Sequence, residues 1–243
     1  MPQDRIPIDD RTRVLVLTGA GVSAESGLAT FRGAGGLWDG HPVERVASPE
    51  GFAADPELVW RFYSMRRREA SAAGPNDAHR ALAALEARLG DRFLLVTQNV
   101  DGLHARAGSR RVVEIHGTLW RTRCSDCLNP PVADAAFPVL PPLPRCHCGA
   151  LLRPDIVWFG EMLDPALTRR VDRFLREASG GPFVFIATGT SGTVYPAAAY
   201  VQQARLHGAQ TWLVNLEPAE NAGAFDHVVS GPAGTTLPHL LRL

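Results

Sequence analysis

Short apolar runs rich in β-branched residues alternate with longer helical stretches along this chain, and this alternation constrains its fold more than any other feature. The runs are nearly continuous, as in parallel strands that are buried on both faces. They predict strands at 14–18, 93–97, 112–115, 183–187 and 211–215. Helices are predicted at 77–89, 165–178 and 196–207. The sequence therefore predicts an α/β fold with crossover helices.

Two regions interrupt the alternation. Residues 33–75 hold a glycine-rich stretch followed by one isolated helix, which Asp55 and Pro56 are well suited to begin. Residues 120–155 hold all four cysteines and a proline-dense stretch. We interpret both regions as insertions that form a second, smaller lobe.

The first predicted strand leads directly into Gly-Ala-Gly-Val-Ser-Ala at 19–24, which has the form G-x-G-x-x-G/A. Glycines in such a turn let the backbone approach a pyrophosphate at a helix N-terminus. A dinucleotide oxidoreductase also needs an acidic residue about 20 residues on, at the end of the second strand. Glu44 has that spacing but lies in no predicted strand. Either the loop is structural, or the ribose is bound by residues elsewhere.

Polar residues follow two later strands. Asn215-Leu216-Glu217 ends one of them and Gly189-Thr190-Ser191 ends another. Ligands of open α/β sheets bind at such carboxyl ends. Together with the glycine loop, these ends predict a nucleotide site.

The four cysteines form two pairs. Cys124 and Cys127 make a C-x-x-C motif, and Cys146 and Cys148 make a C-x-C motif. Two such pairs suit one structural Zn²⁺ held by four thiolates, with no position left for substrate. His147 in place of Cys148, or four free thiols, are the alternatives.

Residues 97–104, Thr-Gln-Asn-Val-Asp-Gly-Leu-His, begin at a strand end and carry amide, carboxylate and imidazole groups into a loop. His116 also follows a strand. His104 or His116 could serve as a general base near neutral pH. His79 is interpreted as a structural histidine.

The charge balance excludes several classes of function. All 25 basic residues are arginine, and they balance 25 acidic residues. The absence of lysine excludes a Walker phosphate loop, a pyridoxal enzyme and a protein kinase, each of which needs its own lysine. A zero net charge argues against nucleic acid or acidic lipid as a partner. The polar N-terminus and short apolar runs predict a cytoplasmic protein without a membrane span.

Taken in order, these motifs resemble the sirtuin family of NAD-dependent protein-lysine deacylases. The motifs are GAGVSAESGLATFRG at 19–33, TQNVDGLH at 97–104, EIHGTLW at 114–120, the cysteine pairs, VWFGE at 157–161, GTS at 189–191 and NLE at 215–217. The resemblance implies a Rossmann-like domain of 1–32, 76–119 and 156–243. It also implies a small domain with a helical module (33–75) and a zinc module (120–155).

The resemblance implies that NAD is consumed, giving nicotinamide, O-acyl-ADP-ribose and free lysine. His116 is the implied general base, while Asn99 and Asp101 order the nicotinamide end and the ribose. The implied NAD-binding residues are Gly19, Ala20, Gly21, Ser23, Ala24, Glu25, Phe31, Arg32, Trp38, Gln98, Asn99, Val100, Asp101, Gly189, Thr190, Ser191, Asn215, Leu216, Glu217 and Ala233. Val157, Trp158, Phe159 and Gly160 form a segment to which the substrate peptide could add as an extra strand.

Tyr63 and Arg66 lie three residues apart, so they share one face of the isolated helix. A phenol beside a guanidinium can bind a carboxylate. This Tyr-x-x-Arg looks like the motif of class III sirtuins, which remove succinyl and malonyl groups, and the surrounding sequence resembles bacterial members that also deacetylate. The alternative is that Arg66, Arg67 and Arg68 form a solvated basic face.

Acylated-lysine proteins and NAD are therefore the expected partners of a monomeric enzyme. Three alternative functions stay open at this point. They are mono-ADP-ribosyl transfer, a catalytically silent NAD-binding module, and a Rossmann oxidoreductase.

Overall fold

A six-stranded parallel sheet dominates the computed structural model, which describes residues 5–30, 37–38, 40–136 and 142–242. The strands are Arg13–Thr18 (β1), Leu37–Trp38 (β2), His41–Pro42 (β3), Phe93–Thr97 (β4), Val112–Glu114 (β5), Gly117–Cys124 (β6), Val132–Ala133 (β7), Leu152–Ile156 (β8), Phe183–Thr188 (β9), Gln210–Asn215 (β10) and His227–Ser230 (β11). The helices are Gly21–Ala24 (α1), Val43–Val46 (α2), Pro49–Ala54 (α3), Pro56–Ala72 (α4), Asp77–Leu89 (α5), Leu103–Arg106 (α6), Pro165–Ala178 (α7), Tyr200–Leu206 (α8) and Ala233–Leu241 (α9). Short 3-10 helices occupy Gly90–Arg92, Ala197–Ala199 and Ala222–Ala224.

The order of strands in the large sheet is β11-β10-β9-β1-β4-β5, and every neighbouring pair is parallel. The chain thus builds outward from β1 in one direction through β4 and β5, and then in the other direction through β9, β10 and β11. The reversal lies between β1 and β9. Ligands of such sheets bind at the carboxyl ends of the strands that flank this point. The predicted α/β fold with a parallel sheet is confirmed.

Burial of β1 on both faces explains why its residues 14–17 are all apolar. Leu15 and Leu17 contribute to a core on one face of the sheet, which includes residues of α7 and α8. Val14 and Val16 contribute to a core on the other face, which includes residues of α5 and α9. Side chains of a strand alternate between its two faces, so a strand covered on both faces needs apolar residues at every position.

The structure differs from the predicted elements in several places. The helix predicted at 196–207 is a 3-10 turn, Ala197–Ala199, followed by the shorter α8. Strand β11 and helix α9 were not predicted. Strand β11 lies at the sheet edge with Val228 55% exposed, so it lacks the continuous apolar run. Helix α9 contains Pro238, which normally argues against a helix interior.

The small lobe contains α2, α3, α4, the β2–β3 hairpin and a three-stranded antiparallel sheet of order β7-β6-β8. Helix α4 begins as predicted, since the Asp55 carboxylate accepts a bond of 2.9 Å from Leu58 N and Pro56 follows. Its buried face joins residues of β6 and β8 in a separate core. The described part of region 33–75 holds three helices, not one. The domain boundaries proposed above remain predictions.

No helix within the described residues combines the length and apolar character that crossing a bilayer requires.

Candidate active site

A cleft of about 1560 Å³ lies at the carboxyl ends of the parallel strands and extends to the small lobe. It brings together the ends of β1, β4, β9 and β10, His116, helix α4 and the segment after β8. Every predicted NAD, catalytic and substrate residue whose side chain the structure describes lines this cleft. Phe31 and Arg32 lie outside the described residues, as does the side chain of Trp38.

Three glycines let two loops touch at the switch point. A Cβ atom on Gly19 would lie 2.7 Å from the Gly189 carbonyl oxygen, and one on Gly21 would lie 2.8 Å from Gly189 Cα. Gly189 itself has a φ of +62°, and Gly21 N donates to its carbonyl at 2.8 Å. These glycines are thus needed to join the ends of β1 and β9, whatever ligand the loop binds. Helix α1 is only one turn long, so it supplies little dipole to a pyrophosphate.

Two predicted NAD residues have clear structural partners. The Asn215 amide pairs with the Thr190 backbone, donating to its carbonyl at 2.6 Å and accepting from its N–H at 3.2 Å. The Glu25 carboxylate accepts a bond of 2.8 Å from Gly234 N, in the first turn of α9. Asn215 therefore joins the loops after β9 and β10, and Glu25 fixes the start of α9 beside Ala233.

Ser23, Asn99 and Asp101 form a buried hydrogen-bonded group. The Asn99 amide donates to Ser23 Oγ at 3.1 Å, and Ser23 Oγ donates to Asp101 Oδ2 at 2.8 Å. The other Asp101 oxygen accepts from Leu103 N at 2.8 Å. Burial raises the pKa of Asp101, although these bonds and the nearby Arg66 and Arg106 oppose the rise. The group places one carboxylate and neutral donors on the same wall of the cleft.

His116 lies half-buried between β5 and β6. Its Nδ1 is 3.2 Å from the Gln98 carbonyl oxygen, which can only accept, so Nδ1 carries the proton and Nε2 carries the lone pair. Burial lowers the pKa of His116 below its ordinary 6.5, and the bond to Gln98 opposes the shift. A neutral imidazole with a free lone pair in the cleft is suited to act as a general base.

His104, the other candidate base, lies behind the cleft. Its Nε2 is 3.0 Å from Thr18 Oγ1, its ring is 4.7 Å from that of His79, and it is 2% exposed. Burial lowers the pKa of both histidines, that of His79 to about 4. We interpret His79 and His104 as a neutral structural pair.

The three consecutive arginines of α4 have different environments. The Arg66 side chain is 12% exposed and lines the cleft, with NH1 3.2 Å from Glu69 Oε2. Arg67 is fully buried and donates to the Leu119 and Ala136 carbonyls and to Asp134. Arg68 is exposed. These residues do not form the continuous solvated face that was the alternative interpretation.

Tyr63 also lines the cleft, one helical turn before Arg66. It is 0% exposed, and its hydroxyl oxygen accepts a bond of 2.9 Å from the Trp158 indole N–H. Burial raises the pKa of Tyr63, so the phenol stays protonated. A phenol and a guanidinium therefore meet in one partly enclosed corner.

Val157 to Gly160 is a loop, not a strand. The N–H groups of Val157, Trp158 and Phe159 donate to His116 O, Glu161 Oε2 and Ala47 O at 2.8–3.0 Å. A peptide that pairs with this segment must therefore donate its hydrogen bonds mainly to the carbonyl groups of the segment. The loop is held by a bidentate ion pair between Arg153 and Glu161, at 2.6 and 2.8 Å. Sequence reasoning missed the role of Arg153, because nothing in its position signals a partner across a loop.

The four cysteine sulfurs lie within 4.8 Å of one another, away from the cleft. Cys124 and Cys148 are 3.5 Å apart, and Cys127 and Cys146 are 3.6 Å apart. Sulfurs about 2.3 Å from one Zn²⁺ are separated by roughly 3.8 Å, so the cluster fits a tetrahedral zinc site. N–H groups of Asp126 and Cys127 donate to the Cys124 sulfur and lower the pKa of that thiol to about 6.

Cys148 therefore belongs to the set of four, whereas His147 is exposed and outside it. The oxidoreductase alternative also lacks support from the geometry. Glu44, which had the spacing of a ribose ligand, is exposed in α2 of the small lobe.

The model of the Sir2 family matches residues 19–196 of the chain. The NAD-dependent protein deacylase of Escherichia coli strain K12 is 51% identical over 238 residues, which cover 96% of this chain and 82% of that protein. The NAD-dependent protein deacylase of Salmonella typhimurium is 49% identical over 237 residues, covering 96% of this chain and 84% of that protein.

Solved structures give the same picture. A Sir2 homolog–NAD complex is 44% identical, with a TM-score of 0.86 over 94% of this chain and 88% of that chain. A Sir2–p53 peptide–NAD⁺ complex is 29% identical, with a TM-score of 0.77 over 93% of this chain and 90% of that chain.

Proposed function

This chain belongs to the Sir2 family and is an NAD-dependent protein deacylase, and on that premise we propose that it removes succinyl and malonyl groups, as well as acetyl groups, from protein lysines. The products are nicotinamide, O-acyl-ADP-ribose and free lysine. One observation carries the acyl preference. Tyr63 and Arg66 line the same cleft as His116, Asn99 and Asp101.

We call the side of the cleft that carries Ser23, Asn99, Asp101 and His116 the catalytic wall. It has the groups that such a reaction requires. Departure of nicotinamide leaves positive charge on the ribose, and the Asp101 carboxylate beside neutral amide and hydroxyl donors stabilises it. His116, with its Nε2 lone pair directed away from the Gln98 bond, takes a proton from a ribose hydroxyl. The loops after β1, β9 and β10 line the remainder of the cleft and bind the rest of NAD.

The acyl corner favours a carboxylate. The Arg66 side chain is 12% exposed, and its NH1 lies 3.2 Å from Oε2 of Glu69, whose side chain is 42% exposed. A guanidinium at the border of the cleft can pair with an acyl carboxylate in bidentate geometry. The Tyr63 phenol, which burial keeps protonated, adds a second donor. An acetyl group has no carboxylate, so it cannot form either of these bonds.

The four cysteines hold one structural zinc ion. Four thiolates close the tetrahedral site, so the metal supports the fold of the β6–β8 sheet and takes no part in the reaction. That sheet carries Leu119 and Trp120, which bond to the loop at 98–102.

A single peptide carrying acetyl-, succinyl- or malonyl-lysine tests the proposal. With enzyme and NAD, mass spectrometry should detect deacylated peptide in all three cases, and O-acyl-ADP-ribose should form in proportion. Removal of acetyl alone would overturn the acyl preference. If labelled NAD instead left its label on the protein, the activity would be ADP-ribosyl transfer and the deacylase proposal would fail.

A further inference from the structure

Trp120, a residue of β6, reaches from the small lobe to the loop that carries Asp101. Its indole Nε1 donates to the Asp101 carbonyl oxygen at 2.9 Å. The same edge of the ring lies against Gly102, where an added Cβ atom would be only 2.6 Å from Nε1. The indole therefore contacts the peptide bond between Asp101 and Gly102 directly, with no side chain between them.

The orientation of this peptide bond determines where the Asp101 carboxylate lies. Gly102 has a φ of +76°, and a glycine can readily leave this conformation for others. In the observed conformation, Leu103 N donates to Asp101 Oδ1 at 2.8 Å, and Ser23 Oγ donates to Oδ2 at 2.8 Å. Rotation at Gly102 would move Leu103 N away from Oδ1. The bond from Trp120 thus restrains the glycine on which the geometry of the carboxylate depends.

The strand that carries Trp120 is itself fixed on both sides of this residue. The buried Arg67 guanidinium donates to the Leu119 carbonyl at 2.6 Å and to the Arg121 carbonyl at 3.4 Å. A hydrogen bond restrains its acceptor only as far as its donor is held in place. The two bonds from Arg67 limit the movement of the Trp120 backbone, so its indole can hold the Asp101 carbonyl in one position.

We propose that Trp120 is a positioning residue for NAD binding, which holds the Asp101 carbonyl and thereby keeps the Asp101 carboxylate in place at the nicotinamide end of the site. The inference rests on the proposed role of Asp101, and it is independent of the proposed acyl preference. Trp120 does not line the cleft, so its effect on NAD passes through Asp101.

The test is the dissociation constant of NAD, measured by titration calorimetry in Trp120→Phe, which removes the indole N–H and keeps an aromatic ring. The constant should rise roughly fivefold, the effect of losing about one hydrogen bond. The KM for an acetyl-lysine peptide at saturating NAD should stay at the wild-type value, because the effect is confined to the nicotinamide end. A smaller folded fraction would lower the number of sites in the titration but would change neither constant.

Trp60→Phe is the matched control. Trp60 lies in the core of the small lobe and donates its indole N–H to the Leu152 carbonyl at 2.9 Å, away from Asp101. Its substitution removes the same group from the same lobe but should not change the dissociation constant of NAD. In an Asp101→Ala background, Trp120→Phe should also leave this constant unchanged, since the carboxylate through which Trp120 acts is gone.

An unchanged NAD dissociation constant in Trp120→Phe, an equal rise in Trp60→Phe, a further rise in the Asp101→Ala background, or an equal rise in the peptide KM would each overturn the inference. If Asp101→Ala alone bound NAD as tightly as the wild type, the proposed role of Asp101 would fall, and this inference with it. A wild-type enzyme inactive on succinyl-lysine would overturn only the acyl preference, because these measurements use NAD and an acetyl-lysine peptide.

Discussion

At the scale of single residues, the sequence Arg66-Arg67-Arg68 shows how the same side chain acquires three roles. Arg67 is buried and makes four hydrogen bonds, so it holds α4 to the zinc module. Arg68 is exposed to solvent. Arg66 lies between these extremes, at the border of the cleft. Helical rotation of about 100° per residue separates their environments.

Arg66→Met should reduce desuccinylation much more than deacetylation. Hydrogen bonds to charged groups contribute about 1.5–3 kcal/mol, so kcat/KM for succinyl-lysine should fall by roughly 10- to 100-fold. Arg66 also opposes the rise in the pKa of Asp101, so the measured quantity is the ratio of kcat/KM for succinyl-lysine to that for acetyl-lysine, since a change at Asp101 affects both acyl groups. Arg68→Met, two residues along the same helix, is the control and should match the wild type. Equal losses of activity on succinyl-lysine and acetyl-lysine would contradict the proposed acyl preference.

As the proposed general base, His116 should set the acidic limb of the pH profile. A general base must be unprotonated, and burial lowers the pKa of His116, so activity should persist below pH 6.5 and fall only at more acidic values. His116→Ala should lose about 10²- to 10⁴-fold in kcat and should lack this limb. Steady-state rates between pH 5 and pH 8 measure both. A limb centred above pH 6.5 in the wild type would contradict the assignment.

At the scale of secondary structure elements, the contact between α5 and α6 depends on keeping two histidines neutral. His79 belongs to α5 and His104 to α6, and their rings are in contact. His104 also bonds Thr18 at the end of β1, next to Thr97 at the end of β4. The pair therefore connects two helices to the sheet edge from which the catalytic loops begin. A proton on either ring would be buried with no anion beside it among the described residues.

Stability should accordingly decrease as the pH falls below 6.5. The unfolded chain binds protons at both histidines from pH 6.5 downward, whereas in the folded chain burial lowers the pKa of His79 to about 4 and that of His104 well below 6.5. Each histidine then contributes a loss of about 1.4 kcal/mol per pH unit.

Urea unfolding at pH 7, 6 and 5 measures this slope. His104→Gln retains a donor for Thr18 but has no proton to gain, so its slope should be shallower by about one histidine. His207→Gln is the control and should retain the wild-type slope, because His207 bonds only the Gln203 carbonyl of its own helix among the contacts described. A His104→Gln slope equal to that of the wild type would show that the histidine pair does not determine the pH dependence.

At the scale of the whole molecule, the zinc module reaches the catalytic wall through β6. Leu119 N donates to the Val100 carbonyl at 2.9 Å, and the Trp120 indole donates to the Asp101 carbonyl at 2.9 Å. The strand begins at Gly117, immediately after His116, and ends at Cys124. The metal thus stabilises the strand that fixes Val100, Asp101 and His116, although it lies outside the cleft.

Loss of the metal should therefore abolish activity indirectly. Metal analysis should find one zinc per chain, and Cys127→Ala should lose both the zinc and the deacylase activity, with faster proteolysis of the small lobe. His147→Ala, a substitution between Cys146 and Cys148, should keep both the zinc and the activity. Loss of zinc in His147→Ala, or full activity in zinc-free Cys127→Ala, would contradict this account.

The parallel sheet and most of the candidate site follow from local patterns. Buried parallel strands need unbroken apolar runs, and β1, β4, β9 and β10 were found from theirs. The polar residues that follow these strands are local in sequence, so their shared location at one sheet edge could be predicted. Strand β11 and helix α9 could not, because an exposed edge strand and a proline-containing helix lack the expected periodicity. The Arg153–Glu161 and Trp158–Tyr63 pairs were also missed.

The sequence by itself determined the fold class, the two cysteine pairs and the order of the motifs, because strand burial, helix capping and metal ligation depend on residue types at short spacings. The tertiary structure alone decided which arginine faces the cleft, which histidine keeps a free lone pair and which indole donates to Tyr63. Those choices depend on packing between segments far apart in the chain, where the removal of water makes each proton and each charge depend on its neighbours.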